Sequence, residues 1–298
     1  MVSATKTIAA IGNFDGVHRG HVDLIRRVGD IARQSGARIG AVVFDPHPRR
    51  FFRPSDPPFL ITTAATRNAL LKKAGAETVL SVRFDGALAA LSPESFVRDV
   101  LKRDLGLSGV AVGADFRFGA GREGDADSLS LLCAEHSIAA HIIEPLSEKG
   151  HSDKIGSTAI REAILSGAVD RAAEMLGRAW RVDGIVEAGN KVGRTLGFAT
   201  ANMTLGDLIE PRRGVYAVRA LVGGEMFNGV ANFGRRPTVG APAPLLEAHL
   251  FDFSRDIYGE TISVDFIRFI RDEMKFSGLD ALKAQIAEDC LAAKRLLG

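Results

Sequence analysis

Ten residues near the start of the chain, Gly12-Asn-Phe-Asp-Gly-Val-His-Arg-Gly-His21, hold two histidines, one arginine and three glycines. They follow a short apolar run, Ile8–Ile11, that reads as a buried strand. They precede an apolar periodicity (Val22, Ile25, Val28, Ile31, Ala32) that reads as a helix. Basic side chains suit a helix N-terminus poorly, because it already carries about half a positive charge. An anion held there removes the conflict, with backbone N–H groups and imidazoles converging on it. The chemistry predicted for Gly12, Asn13, Phe14, Asp15, His18, Gly20 and His21 is therefore phosphate binding; the plainer alternative is that the histidines only cap and pack a turn.

Two further stretches carry comparable chemistry. Ser157-Thr-Ala-Ile-Arg161 opens another helix, where a hydroxyl can serve as a cap and Arg161 in the first turn again favours an anion. Two such helix starts together suit a nucleoside triphosphate. Farther on, Gly184–Asn202 is dense in glycine, which lets backbone N–H groups approach phosphate oxygens. Thr200 and Asn202, at i and i+2, are two oxygen ligands on one side of an extended segment and could hold Mg²⁺. A glycine-rich turn explains the same residues equally well. In Leu246-Glu-Ala-His-Leu250 the apolar residues share one strand face, and Glu247 and His249 share the other. Glu247 could be a general base toward a hydroxyl, although pattern alone favours a solvent-facing acid.

A fourth motif misleads. Gly119-Ala-Gly121-Arg-Glu-Gly124 matches GxGxxG, with Glu144 at the distance of a ribose-binding acid. The fingerprint needs its first glycine in the tight turn leaving a strand. Here Ala114–Phe118 intervene after a strand ending near Gly113, so a surface loop is the better reading than a dehydrogenase.

The elements that must position these residues fall into two textures. Through Ile143, short apolar strands (Ile8–Ile11, Arg38–Phe44, Thr78–Val82, Gly109–Val112, Ala139–Ile143) alternate with helices. The helices are expected after His21, over Ala64–Ala74, from Ser92 to about Leu105 and over Leu129–His136. This predicts a parallel sheet covered on both faces, closed by helices over Thr158–Leu165 and Val169–Leu176. After Trp180 come Arg181–Val186, Gly214–Val222, Glu225–Asn232, Leu245–Phe253 and Thr261–Phe269, with a Gly-Gly hairpin signal at 223–224. Strands without helical crossovers predict an antiparallel barrel or sandwich. A final helix (Leu279, Leu282, Ile286, Cys290, Ala293, Leu297) is expected to seal it, with Ser277 and Asp280 as an acidic capping box.

The chain has 298 residues, 46% apolar and 25% charged, enough for two ordinary globular domains. Lys+Arg of 38 against Asp+Glu of 36 offers no polyelectrolyte surface for nucleic acid or an anionic membrane. Cys133 and Cys290 sit in apolar helical patterns and are expected as free thiols. The apolar run before Gly12 is too short for a signal peptide, and no stretch approaches the length of a spanning helix. The expected location is the cytoplasm.

At this point the sequence resembles the bacterial bifunctional riboflavin kinase/FMN adenylyltransferases. The segments that carry the resemblance run in order from Ile11 to Cys290: GNFDGVHRGH, FDPHP, LSPESFV, VGADFRFGAGREGD, STAIRE, GRTLGFATAN, GVYAV, GVANFGRRPTV, LEAHLFDF, IYGE and FIRDEMKFSGLDALKAQI. The resemblance implies a Rossmann-like nucleotidylyltransferase domain over residues 1–178, followed over 179–298 by a six-stranded antiparallel barrel of riboflavin kinase type with its C-terminal helix. It implies that the second domain phosphorylates riboflavin with Mg²⁺–ATP to FMN. The first would then adenylylate FMN from ATP to FAD and pyrophosphate. His18 and His21 would neutralise charge developing on the phosphates, and Ser157, Thr158 and Arg161 would hold pyrophosphate. Asp115 and Phe116 would belong to the flavin-substrate loop. In the kinase half Thr200 and Asn202 would bind Mg²⁺–ATP, the loop with Gly193, Arg194 and Gly197 would cover the phosphates, and Glu247 would take the proton of the ribityl hydroxyl. Two positions depart from the family pattern: Ala199 stands where a proline is usual, and Gly156 where a second serine is usual. The rival readings are an enzyme with one active site and a flavin-nucleotide sensor without catalysis. Retention of Glu247 and both histidines argues against the sensor, which would need only the pockets.

Overall fold

In a computed structural model the described residues are 6–144, 155–187, 198–234 and 244–298. The chain divides into two compact units, Met1–Asp56 with Thr63–Ile155, and Pro57–Thr62 with Gly156–Gly298.

The first unit is a five-stranded parallel sheet of order β3-β2-β1-β4-β5. The strands are β1 (Thr7–Ile11), β2 (Arg38–Asp45), β3 (Thr78–Arg83), β4 (Gly109–Gly113) and β5 (Ala139–Ile143). The helices are α1 (Arg19–Ser35), α2 (Pro48–Phe52), α3 (Ala64–Lys73), α4 (Gly86–Ala89), α5 (Pro93–Ser95) and α6 (Ala126–Glu135). The alternation of β1 explains the two-faced core. Ile8 and Ala10 join Ile25, Val28 and Ala32 of α1 and Leu71 of α3, while Ala9 and Ile11 join Phe96, Val100 and Leu101 on the other face. The first helix ends as expected at Gly36, whose φ of 63° is left-handed. Three details differ from expectation. Val22 is 40% exposed rather than on the buried stripe. The helix begun by the Ser92 cap continues after one turn as a π-helix over Phe96–Asp104. The helix expected from Leu129 starts at Ala126, because Asp125 and Ser128 form a reciprocal capping box. Cys133 is a buried free thiol, and burial pushes its pKa up to about 11.

The second unit is a nearly closed antiparallel barrel of order β6-β11-β8-β9-β10-β7. Its strands are β6 (Trp180–Ile185), β7 (Ala201–Thr204), β8 (Gly214–Val222), β9 (Glu225–Gly234), β10 (Leu245–Leu250) and β11 (Thr261–Arg271). The two end strands approach through a bridge between Glu187 and Asn202. The β8–β9 hairpin turns on Gly223 and Gly224, both at positive φ (58° and 91°), as its sequence requires. No sequence pattern announces β7, and β10 stops at Leu250, three residues short of the expected Phe253. Helices α7 (Ser157–Ser166) and α8 (Val169–Leu176) belong to this unit. So does the short segment Pro57–Thr62, held by Ile209 N–H donating to Leu60 O (2.8 Å) and the Trp180 indole donating to Ile61 O (3.0 Å). The C-terminal helix, Leu279–Leu297, lays Ala293 and Leu297 on Val215, Ala217 and Val230 of β8 and β9. Its buried Asp289 accepts two hydrogen bonds from Arg271 (2.8 and 2.6 Å). The N-cap is Gly278, so Ser277 and Asp280 do not form the expected capping box, and Leu279 is 62% exposed.

Candidate active sites

In the first unit the strand order reverses between β1 and β4, which makes the carboxyl ends of these two strands the switch point where open α/β sheets bind ligands. Both predicted loops of that unit leave from there. The β1–α1 loop is tightly wound: Phe14, Gly16 and Val17 have φ of 53°, 83° and 41°, and Val17 N–H donates to Phe14 O at 3.0 Å. Two non-glycine residues held at positive φ, each 1% exposed, are a strained turn fixed by packing. It delivers His18 to the N-cap of α1, where its Nδ1 accepts the His21 N–H at 3.4 Å. The two imidazoles stack, centroids 3.6 Å apart and planes 20° apart, and Phe14 meets His21 edge-on at 5.0 Å. Gly20 permits the stack, since a Cβ there would lie 3.2 Å from the His18 ring.

No acid stands in the first turn of α1. The Nδ1 of His21 is buried and has no hydrogen-bond partner among the described residues. Burial, and secondarily the neighbouring His18, hold the His21 pKa well below its ordinary value. Two stacked imidazoles at a helix N-terminus thus form a site whose protonated state needs an anion beside it. Asp15 is buried and Asn13 is exposed on the same loop.

The β4 loop turns at once, with Phe116 N–H donating to Gly113 O at 3.0 Å, and places Asp115 and Phe116 beyond the strand end. Phe116 stacks on Phe118 (5.6 Å, 15°), which is buried against Phe96. The first and last glycines of the GxGxxG string, Gly119 and Gly124, serve this packing. A Cβ on Gly119 would lie 2.8 Å from Pro93, and one on Gly124 would lie 2.6 Å from the Phe118 ring, which Gly124 bridges by two backbone hydrogen bonds of 3.0 Å. Gly124→Ala is therefore expected to destabilise the fold by about 1–3 kcal/mol through overpacking, measurable as a lower thermal midpoint with no bound ligand involved.

In the second unit, Gly156 is the N-cap of α7, which makes Ser157 and Thr158 its first two helical residues rather than the cap. Arg161 donates from Nε to Phe59 O at 2.9 Å, and its guanidinium lies 5.6 Å from the Phe59 ring centroid.

The barrel brings the remaining residues together by register. Glu247 of β10 pairs directly with Asn202 of β7 on one side and Asn232 of β9 on the other, so the carboxylate stands between two amides on one sheet face. The strand alternates as predicted, with Leu246, Ala248 and Leu250 buried and Glu247 and His249 half-buried. Asn202 is only 4% exposed. Thr200 and Asn202 line a cavity of about 300 Å³ together with Ala199, Ala248, Arg255, Asp256 and Tyr258. Gly193, Arg194 and Gly197 lie outside the described residues. Asn232, Arg255 and Asp256 were missed by sequence reasoning. Only the strand register marks Asn232, and the other two follow a β-strand end whose turn, with Asp252 at φ 55°, has no glycine to signal it.

Comparison with known proteins covers both units. Residues 2–159 match the family model for FAD synthetase, and residues 176–297 match that for riboflavin kinase. The bifunctional riboflavin kinase/FMN adenylyltransferase of Escherichia coli (strain K12) is 40% identical over 292 residues, 98% of this chain and 93% of the relative. The protein of the same name from Bacillus subtilis (strain 168) is 36% identical over 289 residues, 95% and 90% of the two chains. A solved structure from Streptococcus pneumoniae, named a macrolide-efflux protein, superposes with a TM-score of 0.86 at 31% identity and covers 96% of this chain and 93% of its own. Among the described residues of the present chain no helix is long and apolar enough to cross a membrane.

Proposed function

The chain belongs to the bifunctional riboflavin kinase/FMN adenylyltransferase family, and from that premise we propose which residues carry each reaction. It phosphorylates riboflavin with ATP to give FMN, and it transfers an adenylyl group from ATP to FMN to give FAD and pyrophosphate. We assign adenylyl transfer to residues 1–178 and the kinase to residues 179–298, and place the enzyme in the cytoplasm with no nucleic-acid or membrane partner.

For adenylyl transfer, the stacked His18–His21 pair at the switch point carries the reading. An FMN phosphate oxygen attacks the α-phosphorus of ATP, and the bond to the bridging oxygen of pyrophosphate breaks. Negative charge grows on the pyrophosphate and on the non-bridging oxygens. His18, His21 and the backbone N–H groups of Asn13, Phe14 and Gly20 stabilise that charge, while Gly12, whose own N–H donates to Val42 O at 3.2 Å, lets the chain pass close to the phosphates. Such catalysis is positioning and electrostatics rather than covalent chemistry by the protein. Ser157, Thr158 and Arg161 are assigned to the pyrophosphate, and Asp115 and Phe116 to the flavin nucleotide.

For the kinase, the pairing of Glu247 with Asn202 carries the reading. Glu247 accepts the proton of the ribityl 5′-hydroxyl as its oxygen attacks the γ-phosphorus and ADP departs. Thr200 and Asn202 would hold Mg²⁺, and Gly193, Arg194 and Gly197 would cover the nucleotide phosphates. The donor set fits the ion: two neutral oxygen ligands leave its other positions to phosphate and water, as Mg²⁺ prefers. Among the described residues no group of three or more His, Cys, Asp or Glu offers a competing metal cage. When bound, Mg²⁺ neutralises polyphosphate charge.

A chromatographic time course with riboflavin, ATP and Mg²⁺, beside one started from FMN, tests both assignments with variants. The wild-type chain is expected to show FMN rising and then giving way to FAD. Ala199→Pro is expected to tighten ATP binding in the kinase half by a few fold, since proline narrows the unfolded and unbound conformations of the segment that precedes Thr200. An unchanged KM for ATP would show that this departure from the family pattern has no consequence.

A further inference from the structure

His249 has no part in the proposed reaction, yet it is tied to the nucleotide segment. It follows Glu247 by two residues on the same face of β10. Its Nδ1 lies 2.8 Å from the carbonyl oxygen of Ala199. A carbonyl only accepts, so Nδ1 carries the proton and donates. The ring is held on two sides, edge-on to Phe198 at 5.3 Å (84°) and to Phe251 at 5.9 Å (70°). β7 begins only at Ala201, paired with Ala248, so Ala199 and Thr200 precede its ladder. Continuing that register by one residue sets Thr200 opposite His249, as Asn202 is set opposite Glu247. Ala199, Thr200 and Asn202 all line the same cavity.

We propose that His249 is a positioning residue of the kinase site: its hydrogen bond to Ala199 O fixes the approach to β7, so that the Thr200 hydroxyl stays beside Asn202 for Mg²⁺–ATP. The strand that carries the general base thereby also sets the nucleotide ligands. This matters more here than with a proline at position 199, because alanine leaves φ unconstrained just where the ladder has not begun. The inference rests on the reading of Thr200 and Asn202 as nucleotide ligands.

The test separates the hydrogen bond from the packing. His249→Phe keeps an aromatic ring between Phe198 and Phe251 but removes the donor. His249→Asn places an amide Nδ2 the same number of bonds from Cβ as the imidazole Nδ1 and restores it. The Phe variant is expected to raise KM for ATP in riboflavin phosphorylation, and to weaken Mg²⁺–ADP binding by calorimetry, about 3- to 10-fold, the range of one neutral hydrogen bond. Its kcat at saturating ATP stays within about twofold, and the Asn variant recovers most of the affinity. The retained kcat certifies that the barrel is folded, and FAD formation from supplied FMN, unchanged in both, confines the effect to the kinase half. Wild-type affinity in His249→Phe, an Asn variant as impaired as the Phe variant, or a fall in kcat at unchanged KM would each overturn the proposal. Thr200→Ala, measured alongside, isolates the underlying reading: if it leaves Mg²⁺–ADP affinity intact, the ligand assignment itself fails, whatever His249 does.

Discussion

Glu247→Gln is expected to lower riboflavin phosphorylation by about 10²- to 10⁴-fold, the range spanned by a positioned general base, while FAD formation from supplied FMN stays within about twofold. The substitution is close to isosteric. The residue sits mid-strand in β10, between Asn202 and Asn232, and its own face is half-buried, so neither the ladder nor the core on the opposite face is disturbed. What changes is the ability to accept a proton from an alcohol that is a weak nucleophile until deprotonated. If the carboxylate only faced solvent, as its sequence pattern alone would favour, the amide would cost nothing. The register argues otherwise: an exposed acid has no need of an almost fully buried asparagine directly beside it. KM for ATP should move little, because the nucleotide ligands assigned to the site lie on β7 and the segment before it. An unchanged kcat for FMN formation would remove Glu247 from the mechanism.

The first unit was legible because its physics is local. Continuous apolar strands, a cap at Ser92 and a left-handed glycine at Gly36 each act within a few residues. The same holds for the histidine turn, where residue type and helix position already opposed each other. The features that escaped are those decided by distant partners. β7 is four residues long, follows a glycine-dense stretch and exists because Leu245–Ala248 pair with it. The loop residues Pro57–Thr62 belong to the second unit through bonds to Asp207, Ile209 and Trp180, which no periodicity encodes. The GxGxxG string stands too far from its strand to be a dinucleotide fingerprint, and the reason for its glycines is tertiary: Pro93 and Phe118 leave no room for a Cβ at Gly119 and Gly124. The tie between His249 and Ala199 spans 50 positions in sequence and is of the same kind.

His21→Ala should suppress FAD formation from FMN by about 10²-fold or more, the loss expected for one preorganised electrostatic group at a developing charge, with FMN still accumulating from riboflavin. His21 is a cleaner probe than His18. The His18 side chain caps α1, so removing it also costs the helix about 0.5–2 kcal/mol, and lost activity could reflect a frayed N-terminus. The His21 ring caps nothing; among the described residues its buried Nδ1 has no partner, and such a group detracts from stability in the ligand-free protein. Proton linkage gives an independent check. Burial, then His18, hold the folded pKa of His21 well below the ordinary 6.5. Below about pH 6.5 the unfolded chain therefore binds a proton that the folded chain refuses, and stability falls as pH drops from there toward the folded value. His21→Ala removes this contribution, so its thermal midpoint should decline less than the wild type's between pH 7.5 and 5.5. A variant that loses FAD synthesis, keeps the kinase and flattens the acid limb of stability identifies His21 as a group kept neutral by the fold until phosphate arrives. Full FAD synthesis in that variant would move the charge-stabilising role away from His21.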